Sequence, residues 1–233
     1  MNHDEEDKLR SGTITKVERQ KRVKDRYNLY IDDEFAFSVH EDILIRYKLV
    51  KGSEVEEEGL RAIVHAQEKQ RAYLYAVRLL GSRLRSEHEL WNRLKQKGYD
   101  PVLATTTVER LKQEQYVNDA VFAEQLTKQR VRSQKKGRNW VKQELQFKGI
   151  DPIQISKAIQ QIDEETEYRS AYELVYKKYR KEFIIDAKQA QRKAMGFLLR
   201  RGYSSSLVSK VVREVLKAFG EELEDEMNEF GFE

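Results

Sequence analysis

Between residues 128 and 142 the chain sets Lys128, Arg130, Arg132, Lys135, Lys136, Arg138 and Lys142 around one glycine, Gly137. A glycine flanked by cations at the start of a helix lets backbone N–H groups and side chains face the same anion, and phosphate is the anion that such an arrangement suits. Trp140 lies just inside that helix, where a core anchor is a commoner role for an indole than a platform for a base. Two further basic sets flank this one: Arg83, Arg85, Arg93, Lys95 and Lys97 before it, and Lys188, Arg192, Lys193, Arg200 and Arg201 after it. Some of these cations have a simpler origin. Lys97, Lys148 and Arg201 fall in the last turn of a helix, where the helix dipole favours a positive charge by about 0.3–1 kcal/mol.

Signs of catalysis are sparse. The sequence has no phosphate-binding G-x-x-x-x-G-K-[ST], no G-x-G-x-x-G, no H-E-x-x-H and no G-x-S-x-G. It has no cysteine, which removes disulfides, thiolate metal sites and thiol nucleophiles together and suits a reducing compartment. Among its four histidines, His40 is the one whose surroundings could hold a divalent metal, with Glu41 and Asp42 beside it and the turn Asp32-Asp33-Glu34 nearby. Such a cluster is what a metal-dependent nuclease would need, but a polar hairpin turn followed by an acidic first helical turn explains the same residues. The expectation is a protein that is not an enzyme and holds neither metal nor cofactor.

The net charge of +4 hides a strong segregation. Residues 71–162 carry 18 basic and 9 acidic side chains, and residues 168–217 carry 13 and 4, whereas 218–233 carry seven acidic and no basic ones. Any one of these cations can sit on a solvated helix face, but an excess concentrated in two blocks points to a polyanionic or acidic partner. No apolar run approaches a membrane span of about 18 residues. The polar, acidic opening M-N-H-D-E-E-D lacks an apolar leader segment. A soluble, cytoplasmic, monomeric protein is expected.

The elements that must position these side chains are repeated. Gly98, Gly149 and Gly202 stand 51 and 53 residues apart, each preceded by a cation (Lys97, Lys148, Arg201) and, four residues back, by a leucine (Leu94, Leu145, Leu198). Two residues after each glycine comes Asp100, Asp151 or Ser204, and the only two prolines, Pro101 and Pro152, follow the two aspartates. This pattern predicts a helix stopped at glycine, a short capped turn, and a second helix that tolerates proline at its first position. Adding the helix that precedes each pair gives a three-helix unit present three times, a fold that is mainly α.

The N-terminal part has a different period. T-I-T-K-V-E-R-Q, then Tyr27, Leu29 and Ile31, then Phe35, Phe37 and Val39 alternate as strands of a three-stranded meander, with a turn at Asp32-Asp33-Glu34. E-D-I-L-I-R-Y-K predicts a short helix stopped near Gly52, and Ser53 with Glu56 predicts a capping box for a helix running to Gly81. The expected organisation is a tail, meander and short helix over 1–52, a connecting helix over 53–70, three-helix repeats over 71–115, 116–163 and 164–219, and an acidic tail over 220–233. The helices predicted after residue 81 are 87–97 (capped by Ser86), 101–114, 119–133, 138–148, 152–163, 165–180, 187–201 and 205–218. Residues 1–11 are expected to be disordered, and the stacked repeats to form an elongated, curved molecule.

A three-helix unit with a tight turn before its last helix also describes a helix-turn-helix DNA reader. The last helices open P-V-L-A, P-I-Q-I and S-S-L-V, so Gln154 alone offers a side chain for reading base edges. An autonomous transcriptional regulator is therefore the second reading, behind one based on phosphate, shape or protein recognition. With the repeats established, N-D-A-V-F-A-E (118–124), K-K-G-R (135–138) and L-Q-F-K-G-I-D (145–151) make residues 70–218 resemble the RecX family, regulators of the recombinase RecA. The N-terminal extension is similar to that of longer members from Gram-positive bacteria. The third repeat departs from the pattern, with Ser204-Ser205 in place of Asp-Pro. The resemblance implies a non-enzymatic protein that binds RecA and its filament on single-stranded DNA. It would lie in the filament groove and restrain ATP hydrolysis, filament growth and strand exchange in recombination, repair and the SOS response. Low-specificity contact with single- or double-stranded DNA is expected to depend on salt, with Lys135, Lys136 and Arg138 carrying much of that dependence.

Overall fold

The structure is a computed structural model that describes residues 11–21 and 25–229, with 221–229 as backbone only. The expectation for residues 1–10 and the end of the acidic tail, residues 230–233, fall outside the described residues. By packing, the described residues divide into two compact units, one of those up to 83 together with 90–116, the other of 84–89 together with those from 117 onward.

The first unit opens with β1 (Gly12–Arg19), β2 (Arg26–Ile31), β3 (Glu34–His40), α1 (Glu41–Arg46), β4 (Glu54–Val55) and α2 (Glu57–Leu80). Asp32 and Asp33, both with positive φ, form the two-residue turn between β2 and β3, a conformation that aspartate tolerates and that matches the twist of a hairpin. Leu29, Ile31 and Val39 bury their side chains with Ile14, Ile43, Leu60 and Ile63 in one apolar cluster.

Three details of this unit differ from the sequence reading. The sheet has four strands in the order β3-β2-β1-β4. The expected capping box at Ser53 and Glu56 is not formed. Glu54 and Val55 instead pair with Thr13 and Gly12, Ser53 Oγ donates to the Lys48 carbonyl, and Glu56 begins α2 without a side-chain cap. Pairing of Gly52 and Ser53 with Ile14 satisfies backbone groups along β1 that a capping box would leave open. The short helix α1 also ends at Arg46, before the predicted stop near Gly52.

The remaining helices are α3 (Glu87–Gln96), α4 (Pro101–Gln113), α5 (Asp119–Arg132), α6 (Arg138–Phe147), α7 (Pro152–Gln160), α8 (Glu164–Ile185), α9 (Ala187–Arg200) and α10 (Ser205–Glu229). The second three-helix set, α5 to α7, encloses Phe122, Ala123, Leu126, Val141, Leu145, Ile155 and Ala158. The third, α8 to α10, encloses a larger cluster that includes Val175, Tyr179, Phe183, Leu198, Tyr203 and Phe219. Helix α8 runs five residues past the predicted 180, to Ile185, because Phe183 belongs to that core.

The three glycine turns share one geometry. Gly98, Gly149 and Gly202 have φ of +97°, +75° and +86°, and the residue after each glycine donates its N–H to the carbonyl of Leu94, Leu145 or Leu198 at 3.1–3.2 Å. This is the left-handed helix stop in which the C-terminal carbonyls are closed off by the reversing chain. Each of the three leucines is fully buried, so one residue anchors the core with its side chain and the turn with its carbonyl. Asp100 and Asp151 then accept the N–H groups of Val102 and Ile153 at 2.8 Å, and Ser204 accepts that of Leu207 at 3.3 Å.

Candidate functional site

The K-K-G-R segment starts α6 as expected, but what lies in front of the helix is protein. The N–H of Gly137 donates to the Arg201 carbonyl at 2.9 Å and that of Asn139 to the Gly202 carbonyl at 3.0 Å. Gly137 and Gly202 are both buried and meet backbone to backbone. A Cβ on Gly137 would lie 2.4 Å from Gly202 C and O, and one on Gly202 would lie 2.3 Å from Trp140 N and Cβ. Only two glycines permit this approach.

The charges close the same joint. Arg138 donates its backbone N–H to Glu167 Oε1 at 2.8 Å and its Nε to Glu167 Oε2 at 2.7 Å, and Glu167 is only 2% exposed. The anion at this helix N-terminus is thus the carboxylate of Glu167 from α8, where the sequence reading expects a phosphate. Lys135 pairs with Glu173, also on α8, at 2.5 Å, which holds the Glu173 carboxyl below its usual range. The Lys135 carbonyl accepts the Tyr203 hydroxyl at 2.9 Å and Arg201 Nε at 3.1 Å, while Arg201 also donates to the Gln134 carbonyl. Burial raises the Tyr203 phenol well above its ordinary range, so it stays a donor.

Lys136 places Nζ 4.2 Å from the centre of the Trp140 ring, and burial, with Arg201 nearby, lowers its affinity for a proton. Arg130 makes a two-pronged pair with Glu144, 2.7 Å on each arm. Trp140 is partly buried against the second core, in the anchoring role expected of it.

The same connection recurs one step earlier in the second unit. Ser86, ahead of α3, accepts the N–H of Glu89 at 3.1 Å as the expected cap and donates to the Lys148 carbonyl at 2.7 Å. Lys148 pairs with Glu89, and a Cβ on Gly149 would lie 2.5 Å from His88 Cβ. Nothing lies within 4 Å of a Cβ built on Gly98.

The predicted contact residues therefore separate into two groups. Arg130, Lys135, Lys136, Arg138 and Arg201 come together at the joint and are engaged there. Arg83 and Arg85 are engaged elsewhere. Lys128 and Lys193 make exposed pairs with Glu124 and Glu182, and Lys95 lies over the Trp91 ring at 4.8 Å. Arg93, Arg132, Lys142, Arg192 and Arg200 are exposed, and none has an ion pair among the described residues. Glu167, Glu173 and Glu144 were not identifiable as partners from local spacing, because the pairs span 29, 38 and 14 residues. The one available signal was an excess of carboxylates at the start of α8.

Two other expectations can be placed. Gln154 has its side-chain oxygen buried, so its carbonyl is not presented to a base edge. His40 caps α1 through Nδ1 and approaches Asp42, while Asp32 accepts the N–H of Thr13. Among the described residues, no group of three or more histidines and carboxylates is arranged to hold a metal, and no helix is long and apolar enough to cross a membrane.

A small antiparallel sheet followed by three tandem three-helix units defines a class of helical-repeat protein. Within that class, the sequence matches the family model of the regulatory protein RecX N-terminal domain over residues 12–56. It matches the first, second and third RecX three-helix domains over 72–111, 118–159 and 165–212. It is 34% identical over 225 residues to the regulatory proteins RecX of Bacillus thuringiensis (strain Al Hakam) and Bacillus cereus (strain B4264), covering 94% of this chain and 79% of each relative. The chain belongs to the RecX family of regulatory proteins. A crystal structure of regulatory protein RecX matches with a TM-score of 0.71 and 29% identity over 85% of this chain and 98% of that one. RecX from Lactobacillus salivarius matches in fold, with a TM-score of 0.60 and 21% identity over 64% of this chain and 97% of that one.

Proposed function

We propose that this protein is a non-enzymatic regulator of RecA. It binds RecA and the RecA filament on single-stranded DNA, lies in the filament groove, and restrains ATP hydrolysis, filament growth and strand exchange in recombination, repair and the SOS response. The observation that carries this reading is membership of the RecX family across all four consecutive domains. In this proposal the protein acts in the cytoplasm as a monomer, and its contacts with DNA have low sequence specificity. The exposed cations Arg93, Arg132, Lys142, Arg192 and Arg200, with Lys95, Lys128 and Lys193, make the outward contacts. Lys135, Arg138 and Arg201 instead hold the second and third repeats in register.

The test is a titration of the protein into RecA on single-stranded DNA. Substoichiometric protein is expected to lower DNA-dependent ATP hydrolysis and shorten filaments. Unchanged hydrolysis and filament length across the titration would overturn the reading.

A further inference from the structure

In the first unit, one face of α2 presents Gln67, Gln70, Arg71, Leu74, Tyr75 and Arg78 to a cavity of about 350 Å³. Arg26 and His40 close one side of it, and Lys97 and Tyr99 the other. Four of these residues are cations, and no carboxylate lines the cavity. Among the described residues, Arg26, Arg71, Arg78 and Lys97 make no ion pair. Arg26 donates Nη2 to the Ser38 carbonyl at 3.1 Å, but its Nε is buried and has no partner.

Of the acids at the margin, Asp42 accepts from Gln70 and approaches His40. Arg26, partly buried beside the exposed Arg71, is destabilised unless an anion neutralises it, and no carboxylate lines the cavity. Burial and the neighbouring Arg71 accordingly weaken the hold of Arg26 on its proton.

We infer that this cavity is a binding site for a compact, multiply charged phosphate, a chain of two or three linked phosphates either bare or carried on a nucleoside. Four uncompensated cations around one cavity match the three or so charges of a triphosphate better than the single charge of a carboxylate or of one diester link. Guanidinium groups suit phosphate oxygens in geometry as well as in charge. Tyr75 and Tyr99, with ring centres 6.2 Å apart, give the wall an aromatic surface on which a base can stack. The proposal concerns a face of the N-terminal unit outside the joint and does not depend on the RecA reading.

The experiment is calorimetric titration of the full chain, without magnesium, using ATP, sodium tripolyphosphate and an oligothymidylate strand. ATP and tripolyphosphate are expected to bind. Their affinity should fall at least tenfold in an Arg71→Glu, Arg78→Glu double variant, both positions being exposed, and should be unchanged in a variant of the exposed Lys157, Lys157→Glu. Lys97→Glu gives a second, milder test should the double variant lose its circular dichroism signature. Tighter binding of ATP than of tripolyphosphate would assign a nucleoside polyphosphate, and equal binding the phosphate chain alone. Absence of binding by both, equal loss in Lys157→Glu, or dependence on Arg71 and Arg78 for the oligonucleotide alone would overturn the proposal.

Discussion

Glu167 is a carboxylate removed from water, facing one guanidinium and one helix N-terminal N–H. Taking away Arg138 leaves that charge without its main partner, so Arg138→Gln is expected to cost about 2–3 kcal/mol once the partial exposure of the guanidinium is allowed for. The urea midpoint reads this directly, and the loss should shrink in a Glu167→Gln background because the two residues act as a pair. Tyr203 makes a prediction about pH. Its phenol is neutral in both states below the unfolded value of about 10, and burial keeps it neutral in the fold above that. The stability it contributes is therefore full below pH ~10 and is lost as pH climbs toward the higher folded value, while the unfolded chain ionises first. Tyr203→Phe should flatten the decline in melting temperature above pH ~10.

Helices and turns were legible in the sequence because their signals are local: Leu145, Gly149, Asp151 and Pro152 fix a stop, a reversal, a cap and a start within eight residues. Strand β4 was not legible, since two residues become a strand only through partners at Gly12 and Thr13. The joint was half legible. Glycine and cations at 135–138 marked the place, but their meaning depends on Glu167, Glu173 and Gly202, which only folding brings near. The three glycine turns differ in a measurable way as a result. Gly98→Ala meets open space and should cost only the left-handed backbone penalty, about 1–2 kcal/mol. Gly202→Ala carries the same penalty and also collides with Trp140, so it should cost clearly more by thermal unfolding, with overpacking adding about 1–3 kcal/mol.

For the molecule as a whole, the consequence concerns where its positive charge is spent. A basic composition signals a polyanionic partner, yet five of the seventeen cations singled out from the sequence, Arg130, Lys135, Lys136, Arg138 and Arg201, serve to hold one repeat to the next or to brace the second repeat. Salt dependence separates the two roles. If the exposed cations neutralise phosphates, log K for single strands should fall by about 0.7 per phosphate for each unit of log salt. Arg132→Gln with Lys142→Gln should then reduce the slope and leave stability nearly unchanged. Lys135→Gln and Arg138→Gln should do the reverse, lowering the unfolding midpoint with little change in slope.

The asymmetry of the joint sets a direction. A helix start from one repeat seats against the glycine turn of the next, as Gly137 does on Gly202 and His88 on Gly149, so every such connection has a plug on one side and a socket on the other. Gly98 is a socket with no plug in it. A repeat of this kind is therefore modular in one orientation only. A chain lengthened by a copy of the second repeat would have to keep, at the start of its middle helix, a segment that seats on the next glycine turn as K-K-G-R or Ser86 to His88 does, and a glycine turn at that helix's end, and a copy lacking either would have no place in the row.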